Sequence, residues 1–219
     1  STYSPIRFKP SSAGGFFTQG DPRYTPFFPI LIDGKVFIHN GAALYAYDII
    51  SSKDNPLLWQ HVENNPNLIL FDEKVIYSGA IYNGKLLYVN LVGSIWREDL
   101  QLGWLHVKMP FPCRSLMAFD INTGKIAWRI GGDVSKTDFL SHASFPTPPA
   151  IEDDCLYAPA VYTALATDPP EQYLICLDAK TGLLKWKTFV ASGFLEINLF
   201  NSPAREQAAS PVTVLEDLL

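Results

Sequence analysis

The chain has 219 residues, a formal net charge of −5 and a sequence pI near 5.3. Its 47% hydrophobic and 18% charged residues fit a packed globular protein and are too apolar for disorder. The acidic surplus, with no basic stripe among the aromatics, excludes broad neutralisation of a nucleic-acid backbone, and no apolar run is long enough for a membrane-crossing helix.

Residues 1–26, with Gly14-Gly15 and Asp21-Pro22, match no recognised pattern and read as an irregular N-terminal segment. From residue 27 to 219 short apolar segments recur with hairpin signals between them. The first group predicts strands at 29–32, 35–39, 42–48 and 56–60, with Asp33-Gly34 as the first turn. The second runs from about residue 75 through Asn83-Gly84, then 85–92, 115–120 and 125–130. The third takes 149–152, the turn Asp153-Asp154, then 155–158, 173–178 and 183–190. A fourth group begins at Ser210-Pro211, so the chain reads as a piece of a longer repeat protein, and no secretory leader is visible within it. Asp-Gly and Asn-Gly between alternating apolar runs are strong hairpin signals, because the turn needs positive φ.

Two stretches share a motif at fixed offsets: A-F-D-I-N-T-G-K-I-A-W at 118–128 and C-L-D-A-K-T-G-L-L-K-W at 176–186. Asp120, Thr123, Gly124 and Trp128 correspond to Asp178, Thr181, Gly182 and Trp186. In the first group Ala46, Asp48 and Trp59 match, but a longer turn over 51–55 replaces Thr-Gly. The Asp carboxylate is suited to accept backbone N–H groups across the turn, and Gly takes the left-handed position without steric cost. Four hairpin-linked antiparallel strands, repeated, predict an all-β protein: a partial β-propeller of about three four-stranded blades plus the start of another. Cys176 stands where the other groups have Ala46 and Ala118, so a buried, inert thiol is expected there. The three cysteines, Cys113, Cys155 and Cys176, lack the spacing of a zinc or thioredoxin-type site.

Blade topology puts the long connections, 93–113, 131–147, 159–172 and 191–209, on one rim, where a protein partner or small ligand is expected to bind. Trp96, Arg97 and Trp104 fall in the first, and an aromatic beside Arg is typical of a binding hot spot. The plainer reading is a loop packed on itself. His142 follows Asp138 in the second connection, without the further ligands a metal pair needs. Asn198, Asn201 and Arg205 form a polar group in the last, explicable by loop hydrogen bonding. No nucleophile elbow, Cys/His pair, phosphate loop or marked carboxylate pair is present, so no catalytic residue is nominated.

The string A-x-D-x-x-T-G-x-x-x-W resembles the tryptophan-docking repeat of pyrroloquinoline-quinone-type β-propellers. The resemblance implies that Trp59, Trp128 and Trp186 are wedges between blades, with Ala46, Ala118 and Cys176 lining their slots. Dehydrogenases of that family hold pyrroloquinoline quinone and calcium at the propeller axis, and the alcohol-oxidising branch commonly adds adjacent cysteines, which this chain lacks. Many relatives bind no quinone, so no cofactor is expected. The resemblance implies a non-catalytic, extracytoplasmic scaffold in the periplasm or cell envelope, completed by the remaining blades of the same polypeptide. A quinone- and calcium-dependent dehydrogenase segment and the sensor domain of a larger signalling protein are the alternatives.

Overall fold

The computed structural model describes residues 29–39, 41, 43–50, 55–63, 80–102, 105–133, 135–163 and 169–193, with the backbone alone over 94–102 and 105–112. Three four-stranded antiparallel sheets follow one another along the chain. The first contains β1 (Ile30–Ile32), β2 (Lys35–His39), β3 (Ala43–Asp48) and β4 (Leu57–Val62). The second contains β5 (Ala80–Tyr82), β6 (Leu86–Leu102), β7 (Leu105–Asp120) and β8 (Ile126–Gly131). After a short helix α1 (Phe139–His142), the third contains β9 (Ala150–Glu152), β10 (Cys155–Tyr162), β11 (Glu171–Asp178) and β12 (Leu184–Ser192). In every sheet the strands pair in chain order, which is the up-and-down connectivity of a blade. The protein is all-β, a partial β-propeller.

The tight turns have the chemistry that the sequence requires. Asp33 and Gly34 take φ values of 47° and 72°, and Asp153 takes 50°. Asp tolerates this left-handed region better than bulkier residues do.

Two apolar layers join the blades. Phe37, Leu44 and Ala46 of the first blade bury against Leu87, Val89, Met117 and Phe119 of the second. Tyr88, Leu116, Ala118 and Trp128, on the opposite side of the second blade, bury against Leu156, Ala158, Ile175 and Leu177 of the third. Alternate residues of β6 and β7 thus serve opposite neighbours, because successive strand side chains point to opposite faces. The pattern of a sheet covered on both sides explains why β6 and β7 are apolar almost throughout their inner halves.

One cross-strand row recurs in each blade. Phe37 pairs with Ala46, which pairs with Trp59. Tyr88 pairs with Ala118, which pairs with Trp128. Tyr157 pairs with Cys176, which pairs with Trp186. The small central residue lets the two aromatics meet across it, with ring centroids 5.8, 5.8 and 6.1 Å apart. Each row is followed by a β-bulge, between Ala46 and Tyr47, Ala118 and Phe119, and Cys176 and Leu177. The bulge turns the fourth strand so that its Trp leans out of its own sheet.

Two connections differ from the sequence reading. The expected loop 93–113 is instead paired backbone, running from Ser94 opposite Cys113 to Leu102 opposite Leu105. The ladder lets the backbone N–H and C=O groups of the two segments satisfy one another. The connection expected over 159–172 is shorter, because β10 runs on to Tyr162 and β11 begins at Glu171.

Candidate functional site

The Asp turns are built alike in the second and third blades. Asp120 Oδ1 accepts the backbone N–H groups of Asn122 (3.1 Å) and Thr123 (2.9 Å), and the Thr123 hydroxyl (2.9 Å). Asp178 Oδ1 does the same with Lys180 (3.1 Å), Thr181 (2.9 Å) and the Thr181 hydroxyl (2.8 Å). The turn closes with Gly124 N donating to Asp120 O at 2.9 Å and Gly182 N donating to Asp178 O at 2.8 Å. Thr123 holds the Asp120 carboxyl below the ordinary carboxylate range, mainly through its backbone N–H. Thr181 does so for Asp178, mainly through its hydroxyl. In the first blade Asp48 Oδ1 accepts Ile50 N at 3.0 Å, and Asp48 N donates to Pro56 O at 2.7 Å.

Each turn in this form seats a tryptophan from the preceding blade. Trp59 Nε1 donates to Ile121 O at 3.1 Å, and its ring lies on Gly124 so closely that a Cβ there would sit 2.6 Å from Trp59 Cδ2. Trp128 Nε1 donates to Ala179 O at 3.0 Å, and a Cβ at Gly182 would sit 2.7 Å from Trp128 Cδ2. Tyr88 Oη donates to the same Ala179 carbonyl at 3.1 Å and accepts Asn83 Nδ2 at 2.6 Å. Burial pushes the Tyr88 phenol up to about 12. Trp186 differs: it is 43% exposed, and the ring it meets is Tyr157 of its own blade. Trp59, Tyr88 and Trp128 thus fix each blade to the Asp turn of the next.

A second polar network lies at the rim of the long connections. The Arg129 guanidinium spans Ser115 and Glu63, with Nη1 donating to Glu63 Oε1 and Oε2 at 3.1 and 3.2 Å and Nη2 to Ser115 Oγ at 2.9 Å. His61 Nε2 lies 3.2 Å from Glu63 Oε1, and its ring rests against Phe119. This network links the end of the first blade to the second, and no sequence motif marked it, because its members lie far apart in the chain. Asp138 caps α1 by accepting Ser141 N at 2.9 Å. His142 is buried rather than open on the rim, with Nδ1 2.7 Å from Lys136 O and its ring edge-on to Tyr162. Trp96 and Arg97 lie on β6 opposite Phe111 and Pro110 in the extended hairpin. Trp104, Asn198, Asn201, Arg205, the segment 1–26 and the fourth group from Ser210 lie outside the described residues. Among the described residues, no group of three or more His, Cys, Asp or Glu side chains converges as a metal site.

Two thiols that are distant in sequence come together in the third blade. Cys155 opens β10 opposite Asp178, and Cys176 lies opposite Tyr157 two positions along the same pair of strands. Lys185 Nζ donates to Cys155 Sγ at 3.2 Å and to Asp154 O at 3.2 Å, and lies 3.9 Å from Asp178 Oδ2. Lys185 draws the Cys155 thiol below its ordinary range, whereas burial pushes Cys176 up. Cys176 is buried.

The fold defines the class: an all-β, partial β-propeller. No family model matches the chain, and no curated protein matches it in sequence. Among solved structures it is similar to a europium-containing methanol dehydrogenase, with TM-score 0.46 and 15% identity over 74% of this chain and 24% of that one. It is similar to the quinohemoprotein alcohol dehydrogenase from Comamonas testosteroni, with TM-score 0.44 and 16% identity over 74% of this chain and 20% of that one. A third neighbour is BamB from Moraxella catarrhalis, with TM-score 0.36 and 13% identity over 73% of this chain and 50% of that one. The chain therefore spans between a fifth and a half of the length of these neighbours. No helix among the described residues is long and apolar enough to cross a membrane.

Proposed function

We propose that this chain is a non-catalytic, quinoprotein-like β-propeller scaffold that binds a protein partner through its long-connection rim. The observation that carries the reading is the β6–β7 hairpin, whose ladder continues from Ser94↔Cys113 to Leu102↔Leu105 past the last β7–β8 pair at Ser115↔Gly131. The paired segment carries Ile95, Trp96, Leu100, Leu102, Leu105, Val107, Met109 and Phe111 among Arg97, Glu98, Asp99, His106 and Lys108. An extended arm that mixes apolar and charged residues fits a partner that offers an apolar groove with a polar border. Extracytoplasmic placement belongs to the same reading and rests on the resemblance of the repeats.

The test is to replace residues 94–113 by a short Asn-Gly turn and compare the variant with the parent in co-purification from envelope extracts. The expected result is loss of a specific co-purifying protein, with the far-UV circular dichroism and thermal melt of the blades retained. Equal capture of the same proteins by both would remove the arm from the reading. Saturable binding of pyrroloquinoline quinone with calcium would replace the scaffold by the dehydrogenase alternative.

A further inference from the structure

The third blade departs from the repeat at three positions that meet in space. Register places Cys155, opposite Asp178, where the second blade has Leu86 opposite Asp120 and the first has Lys35 opposite Asp48. Cys176 replaces Ala118 and Ala46 in the centre of the aromatic row. Lys185 is the unpaired bulge residue between Leu184 and Trp186, where the other blades have Ala127 and Leu58. A bulge re-aims its side chain, and here it sends an ammonium across β11 to the start of β10, 3.2 Å from Cys155 Sγ. Cys155 and Cys176 are diagonal neighbours on one face of the β10–β11 pair. Cys155 is partly exposed, Lys185 is exposed and Cys176 is buried behind them. Neither other blade combines two thiols with a cation.

We propose that Cys155, Cys176 and Lys185 form a peroxide-reactive dithiol site that closes to an intramolecular disulfide. The Cys155 thiolate, stabilised by the Lys185 ammonium, is the attacking group, and Cys176 resolves the product. In the first step Cys155 Sγ attacks the distal oxygen of a hydroperoxide. The S–O bond forms, the O–O bond breaks, and the alkoxide or hydroxide leaves and takes up a proton. In the second step the Cys176 thiol gives up its proton and its sulfur attacks Cys155 Sγ. The S–S bond forms, the S–O bond breaks, and water leaves. Two thiols and one hydroperoxide become one disulfide, one alcohol or water from the peroxide, and one water. The local charges suit these roles. Lys185 favours the anion of Cys155, while Asp178 at 3.9 Å and the Asp154 carbonyl hold the ammonium in place. Tyr157, beside both thiols, stays neutral, because burial pushes its phenol up.

The experiment treats the full chain with hydrogen peroxide at pH 7, alkylates the remaining thiols under denaturing conditions, and maps the peptides by mass spectrometry. The expected product is a Cys155–Cys176 disulfide, with Cys113 recovered alkylated. Cys176→Ala, which installs the residue present in the other two blades, should arrest the reaction at a Cys155 sulfenic acid that dimedone traps. Lys185→Gln should slow Cys155 oxidation about tenfold, through loss of the thiolate that the ammonium favours. Oxidation of Cys155 no faster than that of N-acetylcysteine would overturn the proposal. So would a disulfide between two copies of the chain, or Cys155 sulfinic acid beside a free Cys176.

Discussion

Replacing Gly182 with Ala tests whether the Asp turn is a seat for the preceding blade's tryptophan. The new Cβ would stand 2.7, 2.9 and 3.1 Å from Trp128 Cδ2, Cε3 and Cγ, inside contact distance of three ring atoms. Trp128 is 8% exposed and tied to Ala179 O at 3.0 Å, so it cannot yield without breaking that bond. A left-handed Ala costs ~1–2 kcal/mol by itself, and forcing the ring aside costs a further ~1–3 kcal/mol. Gly84→Ala is the matched control, because Gly84 has φ +89° and a Cβ there would meet nothing within 4 Å. It carries the backbone cost and the same change in unfolded-chain entropy, but no clash. Urea titrations followed by tryptophan fluorescence and far-UV circular dichroism should therefore place Gly182→Ala ~1–3 kcal/mol below Gly84→Ala. Equal losses, within about 0.5 kcal/mol, would refute the seat.

Trp128→Ala should destabilise the chain by ~3–5 kcal/mol, the usual cost of a large buried aromatic. Trp186→Ala, at a residue 43% exposed, should cost ~1 kcal/mol in this chain; chemical denaturation of the two variants makes the comparison. Tyr88 gives an alkaline signature. Its folded phenol titrates at about 12, above the ordinary value of 10.0, so the folded state holds the proton that the unfolded state releases first. Its contribution to stability is complete below about pH 10 and is lost as pH rises through about 12. Tyr88→Phe should flatten that part of the stability–pH curve, and an unchanged slope would show that Tyr88 does not cause it.

Blade order and strand positions were legible because the turns announce themselves. Asp33-Gly34, Asn83-Gly84 and the two Asp-x-x-Thr-Gly segments each demand a hairpin at one place, and the apolar alternation fills the intervals. The β6–β7 arm was not legible as a ladder, because Gly93 and the prolines at 110 and 112 read as loop punctuation. A hairpin tolerates prolines where no ladder N–H is needed. The aromatic of the second strand, Phe37, Tyr88 or Tyr157, carried a usable signal shortly after each first turn, visible once the Ala/Cys and Trp positions are aligned. The Glu63–Arg129 pair and the Cys155–Cys176–Lys185 group were out of reach. Each depends on register between strands and, for Lys185, on a bulge that no local pattern encodes.

The two tryptophan contacts with an Asp turn run one way: the ring comes from the earlier blade and the glycine and carbonyl from the later one. Such an interface is heterologous, joining unlike surfaces, and can be repeated without symmetry between its two sides. A lesion in a turn is therefore felt upstream, so damage at Gly124 disturbs the first blade's ring and damage at Gly182 the second's. Suppression should run in the same direction. A smaller ring at Trp59 makes room for a side chain at Gly124, and one at Trp128 does so for Gly182, while neither relieves the other's turn.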